Sequence, residues 1–153
     1  QRIMAKNTDP YFLERSPHLY LKYTKEKGRG VFSKKAIKKG EELEVSPTLV
    51  LNESETAHLE KTLLRDYMFS IGKISKKIRD RVRIKDIDAA CCLIMGVSTY
   101  CNHDEKPNAR LLWEERDGTL YHVLEATADI PKGTEICTSY GDGWFDGRKH
   151  MSN

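Results

Sequence analysis

Turn-forming residues interrupt this chain so often that only short elements fit between them. The clearest case is Asp117-Gly118, set between two apolar runs, 108–115 and 119–125, that both read as strands. An Asp-Gly pair tolerates the positive φ angles that a tight hairpin turn demands, so these runs are expected to pair as a hairpin. Upstream, Leu19, Leu21 and Tyr23 alternate as in a first strand. A polar turn at 25–30 follows, and Val31-Phe32 starts a second strand. The turn Lys38-Lys39-Gly40-Glu41 leads into Glu42 to Leu51, expected as two short strands split by Pro47, because proline cannot donate to a ladder. Asp129 to Gly133 turns again before a last short strand, Glu135 to Ser139.

Two stretches read as helices. Asn52 is a candidate cap with Glu55 three residues on, the pattern of a capping box. Leu59, Leu63 and Tyr67 then recur every four residues, flanked by Leu64, Met68 and Ile71, which predicts an amphipathic helix ending near Gly72. A second helix is expected from Asp86 to Met95, stopped by Gly96. Between them, residues 73–85 hold seven basic residues and one acid; Ile74, Ile78 and Val82 fit a helix, while Val82 and Ile84 fit a strand. The expected class is mainly β with short helices, an α+β chain. It has no β-α-β alternation, which disfavours a Rossmann-type fold.

Composition narrows the function. The 153 residues make one domain, and 39% hydrophobic with 32% charged residues is globular rather than disordered. A net charge of +3, from 26 basic and 23 acidic residues, is too small for a dominant nucleic-acid field. No apolar run approaches the ~18 residues of a membrane span. The opening QRIMAKNTDPYF lacks the apolar centre of a secretion signal. Cys91, Cys92, Cys101 and Cys137 form no C-x-x-C pair and no zinc spacing, so no metal is expected; they read as buried free thiols of a reducing compartment.

Three separated segments carry the chemistry. The first is Lys27-Gly28-Arg29-Gly30-Val31-Phe32, followed by Gly40-Glu41. The second is Tyr100-Cys101-Asn102-His103, followed by Lys106-Pro107-Asn108-Ala109. The third runs from Asp129 through Gly133-Thr134-Glu135 to Ser139-Tyr140-Gly141-Asp142. Each alone is weak, since glycine pairs occur in ordinary turns. In this order and spacing they resemble the SET domain family over roughly residues 18–145. The resemblance implies a β-clip fold in which the second and third segments cross as a pseudoknot. It also implies S-adenosylmethionine as methyl donor and a protein lysine as acceptor.

Residue by residue, the resemblance implies that Lys27, Gly28, Arg29, Gly30, Asn102, His103, Tyr140 and Trp144 hold the cofactor, Arg29 mainly through its backbone. The carboxamide of Asn102 suits an amino-acid zwitterion. Tyr140 is the expected catalytic hydroxyl, and Tyr67, in Asp66-Tyr67-Met68-Phe69, the second aromatic of the lysine channel. Trp144-Phe145 would close over the cofactor. A Cys101/His103 nucleophilic pair is disfavoured as the source of the chemistry. Asp104 stands where the family has Ser, and Thr134 where it has Glu. No cysteine-rich segment precedes the domain and no C-x-C follows Tyr140, so residues 141–153, a partner chain or residues outside this sequence must complete the substrate channel.

The expected organisation is an N-terminal extension at 1–17, a SET domain at 18–141 with an insert at about 53–85, and a tail at 142–153. The expected activity is methylation of a histone tail in the nucleus, with a cytoplasmic non-histone protein as the alternative substrate. The basic stretch 73–85 is a candidate nucleosome contact. The rival from another class is a non-catalytic module that binds a peptide or nucleosome. Leu111 and Thr138, near positions that set the methylation degree, carry no phenol, which hints at a roomy channel.

Overall fold

The structure, a computed structural model, describes residues 16–71, 74–82, 91–142 and 144–146. The chain forms two compact units. Among the described residues, one comprises 16–44, 96–112 and 123–146, and the other comprises 45–95 and 113–122.

In the first unit, β1 (Leu19–Thr24) and β2 (Gly28–Ser33) form the expected antiparallel hairpin, with Thr24 opposite Gly28. β2 begins three residues earlier than the alternation predicts, because Gly28, at φ 72°, already turns the chain into the ladder. A short strand at Asn102–His103 and the last strand at Glu135–Thr138 complete a four-stranded sheet. Beneath it lies a core of Leu19, Val31, Ile37, Leu43, Leu124 and Ile136, all buried.

The second unit departs from the sequence reading in three places. The segment β3 (Glu42–Leu51) is one strand, not two. Its pairing with β5 (Cys91–Ile94) starts only at Thr48, and Pro47 contributes just its carbonyl, which accepts the Met95 N–H at 2.9 Å. No donor is asked of the proline, so the strand passes through it.

Helix α1 (Glu53–Leu59) carries the predicted capping box, with Glu55 N–H donating to Asn52 Oδ1 and Asn52 N–H to Glu55 Oε2, both at 2.9 Å. It does not reach Gly72. Thr62 Oγ1 donates to the Leu59 carbonyl at 2.8 Å and accepts from Leu64 N–H at 3.2 Å, ending one helix and capping a 3₁₀ turn, Leu63–Tyr67. Met68–Ser70 is then strand β4, opposite Cys91–Leu93. The expected helix Asp86–Met95 lies partly outside the described residues; its Cys91–Ile94 part is β5, in which buried Cys92 and Ile94 alternate with less buried neighbours. Four apolar residues in a row carry no period, so helix and strand cannot be told apart in them by sequence. The open reading of 73–85 resolves, where described, as helix α2 (Lys76–Arg79).

The Asp-Gly hairpin forms as expected. β7 (Ala109–Arg116) and β8 (Thr119–Ala126) flank Asp117 at φ 47° and Gly118 at φ 78°. Numbering Asn102–His103 as β6, the five-stranded sheet has the order β4-β5-β3-β8-β7. The second unit has its own core around Ile71, Ile74, Cys92, Ile94 and Leu120.

His122 in β8 is buried in this unit, with its ring 4.9 Å from Trp113 and 6.0 Å from Phe69 and no partner for Nδ1. Burial pushes its pKa down to about 4. The unfolded chain therefore binds a proton between about pH 6.5 and 4 that the folded chain refuses, so stability falls as pH drops through this window. The full loss is about 3 kcal/mol. Urea unfolding of His122→Phe at pH 7 and pH 4.5 should show a clearly smaller acid loss than wild type. Equal losses would mean that other groups drive the acid sensitivity.

Candidate active site

The site elements all come from the first unit. β9 (Glu135–Thr138) is the centre: Val31 and Phe32 of β2 pair with it antiparallel, and Asn102 and His103 of β6 pair with Cys137 and Thr138 in parallel. A two-residue parallel ladder is weak by itself. Asn108 reinforces it. Its Nδ2 donates to the Glu135 carbonyl and its Oδ1 accepts from Cys137 N–H, both at 2.9 Å, so one carboxamide acts as a strand edge. Asp104 N–H also donates to the Thr138 carbonyl at 3.2 Å. These bonds lace the second and third segments together as the expected crossing. Asn108→Ala would leave a buried N–H and carbonyl unpaired and should cost about 2–4 kcal/mol, read as a lower urea midpoint. A loss within ~0.5 kcal/mol, the range of an ordinary surface change, would show that the ladder holds without the clamp.

Asn102 looks across to the glycine turn. Its Nδ2 donates to the Arg29 carbonyl at 3.2 Å and to Glu135 Oε1 at 2.7 Å. Glu135 Oε2 pairs with Lys27 Nζ at 3.4 Å. Partial burial pulls the Lys27 pKa down, but the Cys137 thiolate that forms only in the alkaline range where Lys27 titrates, together with the Glu135 carboxylate and its hydrogen bond, outweighs it and holds it above its usual value. The two glycines serve different needs. Gly28 has φ 72°, and an added Cβ would meet nothing within 4 Å. Gly30 lies under the carboxylate: an added Cβ would stand 2.5 Å from Glu135 Oε1 and 3.0 Å from Asn102 Nδ2. Its missing side chain makes room for the chain's own polar network. The Arg29 guanidinium lies over the Tyr100 ring, 4.6 Å from its centre.

His103 and Tyr140 form the other half. Tyr140 N–H donates to His103 Nδ1 at 3.1 Å, so a neutral His103 carries its proton on Nε2, which faces Glu105 Oε1 at 3.3 Å. The Tyr140 hydroxyl donates to the Cys101 carbonyl at 2.7 Å. The Tyr140 ring packs against His103 at 5.5 Å, Trp144 at 4.5 Å and Phe145 at 6.2 Å. Backbone, hydroxyl and ring are thus all held, by His103, by Cys101, and by His103 with Trp144 and Phe145. Cys101 is buried and desolvation pushes its thiol well up, so it is no nucleophile at neutral pH. Burial likewise raises Cys137 to about 11.

Lys27, Gly30 and Asn102 are therefore brought together around Glu135, the Arg29 carbonyl meets Asn102, Gly28 opens β2, and Tyr140 packs between His103 and Trp144. Tyr67 is not in this unit; it ends the 3₁₀ turn of the other. Glu135 and Asn108 were visible in the sequence only as motif letters. Their roles depend on which atoms they face, which no spacing reveals. Asp104, the departure from Ser, accepts the Lys106 N–H at 2.9 Å and so turns the chain as a serine hydroxyl would.

Comparison with known proteins bears on this arrangement. The family model described as "SET domain" matches residues 28–141. A histone-lysine N-methyltransferase of Schizosaccharomyces pombe, specific for H3 lysine-37, is 31% identical over 136 residues, covering 86% of this chain and 79% of that protein. Among solved structures, a Plasmodium falciparum chain superposes with a TM-score of 0.63 at 24% identity, covering 88% of this chain and 100% of that one. The Neurospora SET domain protein DIM-5, a histone lysine methyltransferase, gives 0.63 at 22% identity, over 84% of this chain and 54% of that one.

Proposed function

This chain belongs to the SET domain family and is a protein-lysine methyltransferase, and we propose that the crossing of Asn102-His103 with Tyr140 is its catalytic centre. The family implies S-adenosylmethionine as cofactor. The donor set fits it. Both hydrogen bonds of Asn102 leave through Nδ2, so Oδ1 is turned outward to accept from an amino group. Lys27, Gly28, Arg29, Gly30, Asn102, His103, Tyr140 and Trp144 would hold the cofactor. When bound, it supplies a methyl group on a cationic sulfonium.

The observation that carries the proposal is the Tyr140 hydroxyl fixed on the Cys101 carbonyl. With its proton directed there, the phenol oxygen meets a reacting partner through a lone pair. It can orient a neutral amine through N–H, and it favours positive charge on an approaching methyl. That is positioning and electrostatic stabilisation, the terms that methyl transfer needs. The acceptor must lose a proton before it can attack.

We take the substrate to be a histone, on the strength of the 31% identical relative, which implies a nuclear enzyme. Exposed Lys76, Lys77 and Arg81, on and after α2, favour contact with an acidic or DNA-bearing surface such as a nucleosome. Lys76 also pairs with Asp80 at 2.8 Å and Arg81 with Glu115 at 3.7 Å, which leaves both at the surface. The test is incubation with methyl-labelled cofactor, nucleosomes, free histones and cell extract, followed by mass spectrometry of labelled lysines. Label on a histone lysine is expected. Label confined to non-histone proteins would overturn the substrate, and no label anywhere would favour a non-catalytic module.

A further inference from the structure

We propose that Glu135 is a positioning residue of the cofactor site, which sets the orientation of the Asn102 carboxamide while Lys27 holds its second oxygen. The inference deepens the proposed function and rests on the reading that Asn102 contacts the cofactor.

A carboxamide has two ends, a donor and an acceptor, and a half-turn exchanges them. Neighbouring groups decide which end faces which way. Here both neighbours on one side of Asn102 are acceptors only. The Arg29 carbonyl stands at 3.2 Å and the Glu135 carboxylate at 2.7 Å from Nδ2. Turning the group over would set Oδ1 against a carbonyl and a carboxylate at those distances, which electrostatics forbids. The donor end is therefore locked inward and the acceptor end outward.

The carboxylate is itself held. Its other oxygen meets Lys27 Nζ at 3.4 Å, and the Glu135 side chain is only 18% exposed. Its backbone carbonyl is bound by Asn108 Nδ2 at 2.9 Å. Gly30 presents no side chain to it, and the space a Cβ would take is filled by Oε1. The result is a fixed Lys27–Glu135–Asn102 chain that joins the turn before β2 to the strand of the second segment.

If Glu135 acts through Asn102, its removal matters only while Asn102 is there. S-adenosylhomocysteine is titrated calorimetrically into wild type, Glu135→Met, Glu135→Gln, Asn102→Ala and the Glu135→Met/Asn102→Ala double variant, with melting temperatures in parallel. Methionine keeps the packing and removes the acceptor, so affinity should fall about tenfold, one such contact being worth roughly a factor of ten. Glutamine keeps one acceptor and should retain most of the affinity. The double variant should bind no worse than Asn102→Ala alone, within about twofold. Losses that multiply would mean a general structural role and overturn the proposal, as would wild-type affinity in Glu135→Met. Wild-type affinity in Asn102→Ala would instead overturn the underlying site reading. If Glu135→Met does not fold, Glu135→Ala carries the same expectations.

Discussion

Replacing Tyr140 by Phe should lower turnover by about 10²-fold or more while leaving the protein folded. The ring would still pack between His103, Trp144 and Phe145, and the Tyr140 N–H would still reach His103 Nδ1. What disappears is one oxygen and its bond to the Cys101 carbonyl. Losing that bond costs about 1 kcal/mol of stability, which is a modest drop in melting temperature. The larger effect falls on the reaction, because in the proposed mechanism the phenol oxygen orients the amine and the methyl. An interaction made mainly in the transition state appears in kcat, so cofactor affinity should change less than turnover. Single-turnover methylation with saturating cofactor separates the two. A wild-type rate in a folded Tyr140→Phe protein would reduce Tyr140 to packing and move the catalytic centre elsewhere.

Gly30→Ala should damage cofactor binding on the order of tenfold to a hundredfold and destabilise the fold by about 1–3 kcal/mol, the scale of overpacking a filled site. Gly30 does not have the positive φ that favours glycine, unlike Gly28. Alanine is therefore allowed by the backbone at position 30, and the penalty comes from contact. The new methyl would stand 2.5 Å from Glu135 Oε1 and 3.0 Å from Asn102 Nδ2, so one of the two must leave its place. The same substitution in a Glu135→Ala background meets no carboxylate, and its additional effect should be much smaller. Calorimetric titration and urea unfolding of the single and double variants give both cycles. If Gly30→Ala is as harmful without Glu135 as with it, the glycine serves a ligand directly rather than the chain's own network.

The two substitutions show where sequence reading stops. Gly28 and Gly30 look alike as letters, yet one answers a dihedral angle and the other a crowded space. Likewise Glu135 reads only as a motif letter after a turn, although it touches both Asn102 and Lys27. The longest errors lay in the second unit. Leu59, Leu63 and Tyr67 keep helical spacing, but Thr62 ends the helix between them, and Met68–Ser70 is taken into a sheet by β5. Amphipathic spacing gives way when a strand edge offers backbone partners and a place to bury Phe69 beside Cys92.

By itself, the order of residues determined the local part of this protein and its family: turns at Asp117-Gly118 and Gly133, the capped start at Asn52, and the three motif segments in family order. Those features depend on neighbours within a few positions, or on residue identity alone. Only the tertiary structure decided that β9 is shared by β2 and β6, that Asn108 serves as a strand edge, and that Glu135 turns the Asn102 amide. These are contacts between residues up to about a hundred positions apart, such as Lys27 and Glu135, and no local propensity encodes them. They form because packing and hydrogen-bond satisfaction are settled for the whole sheet at once.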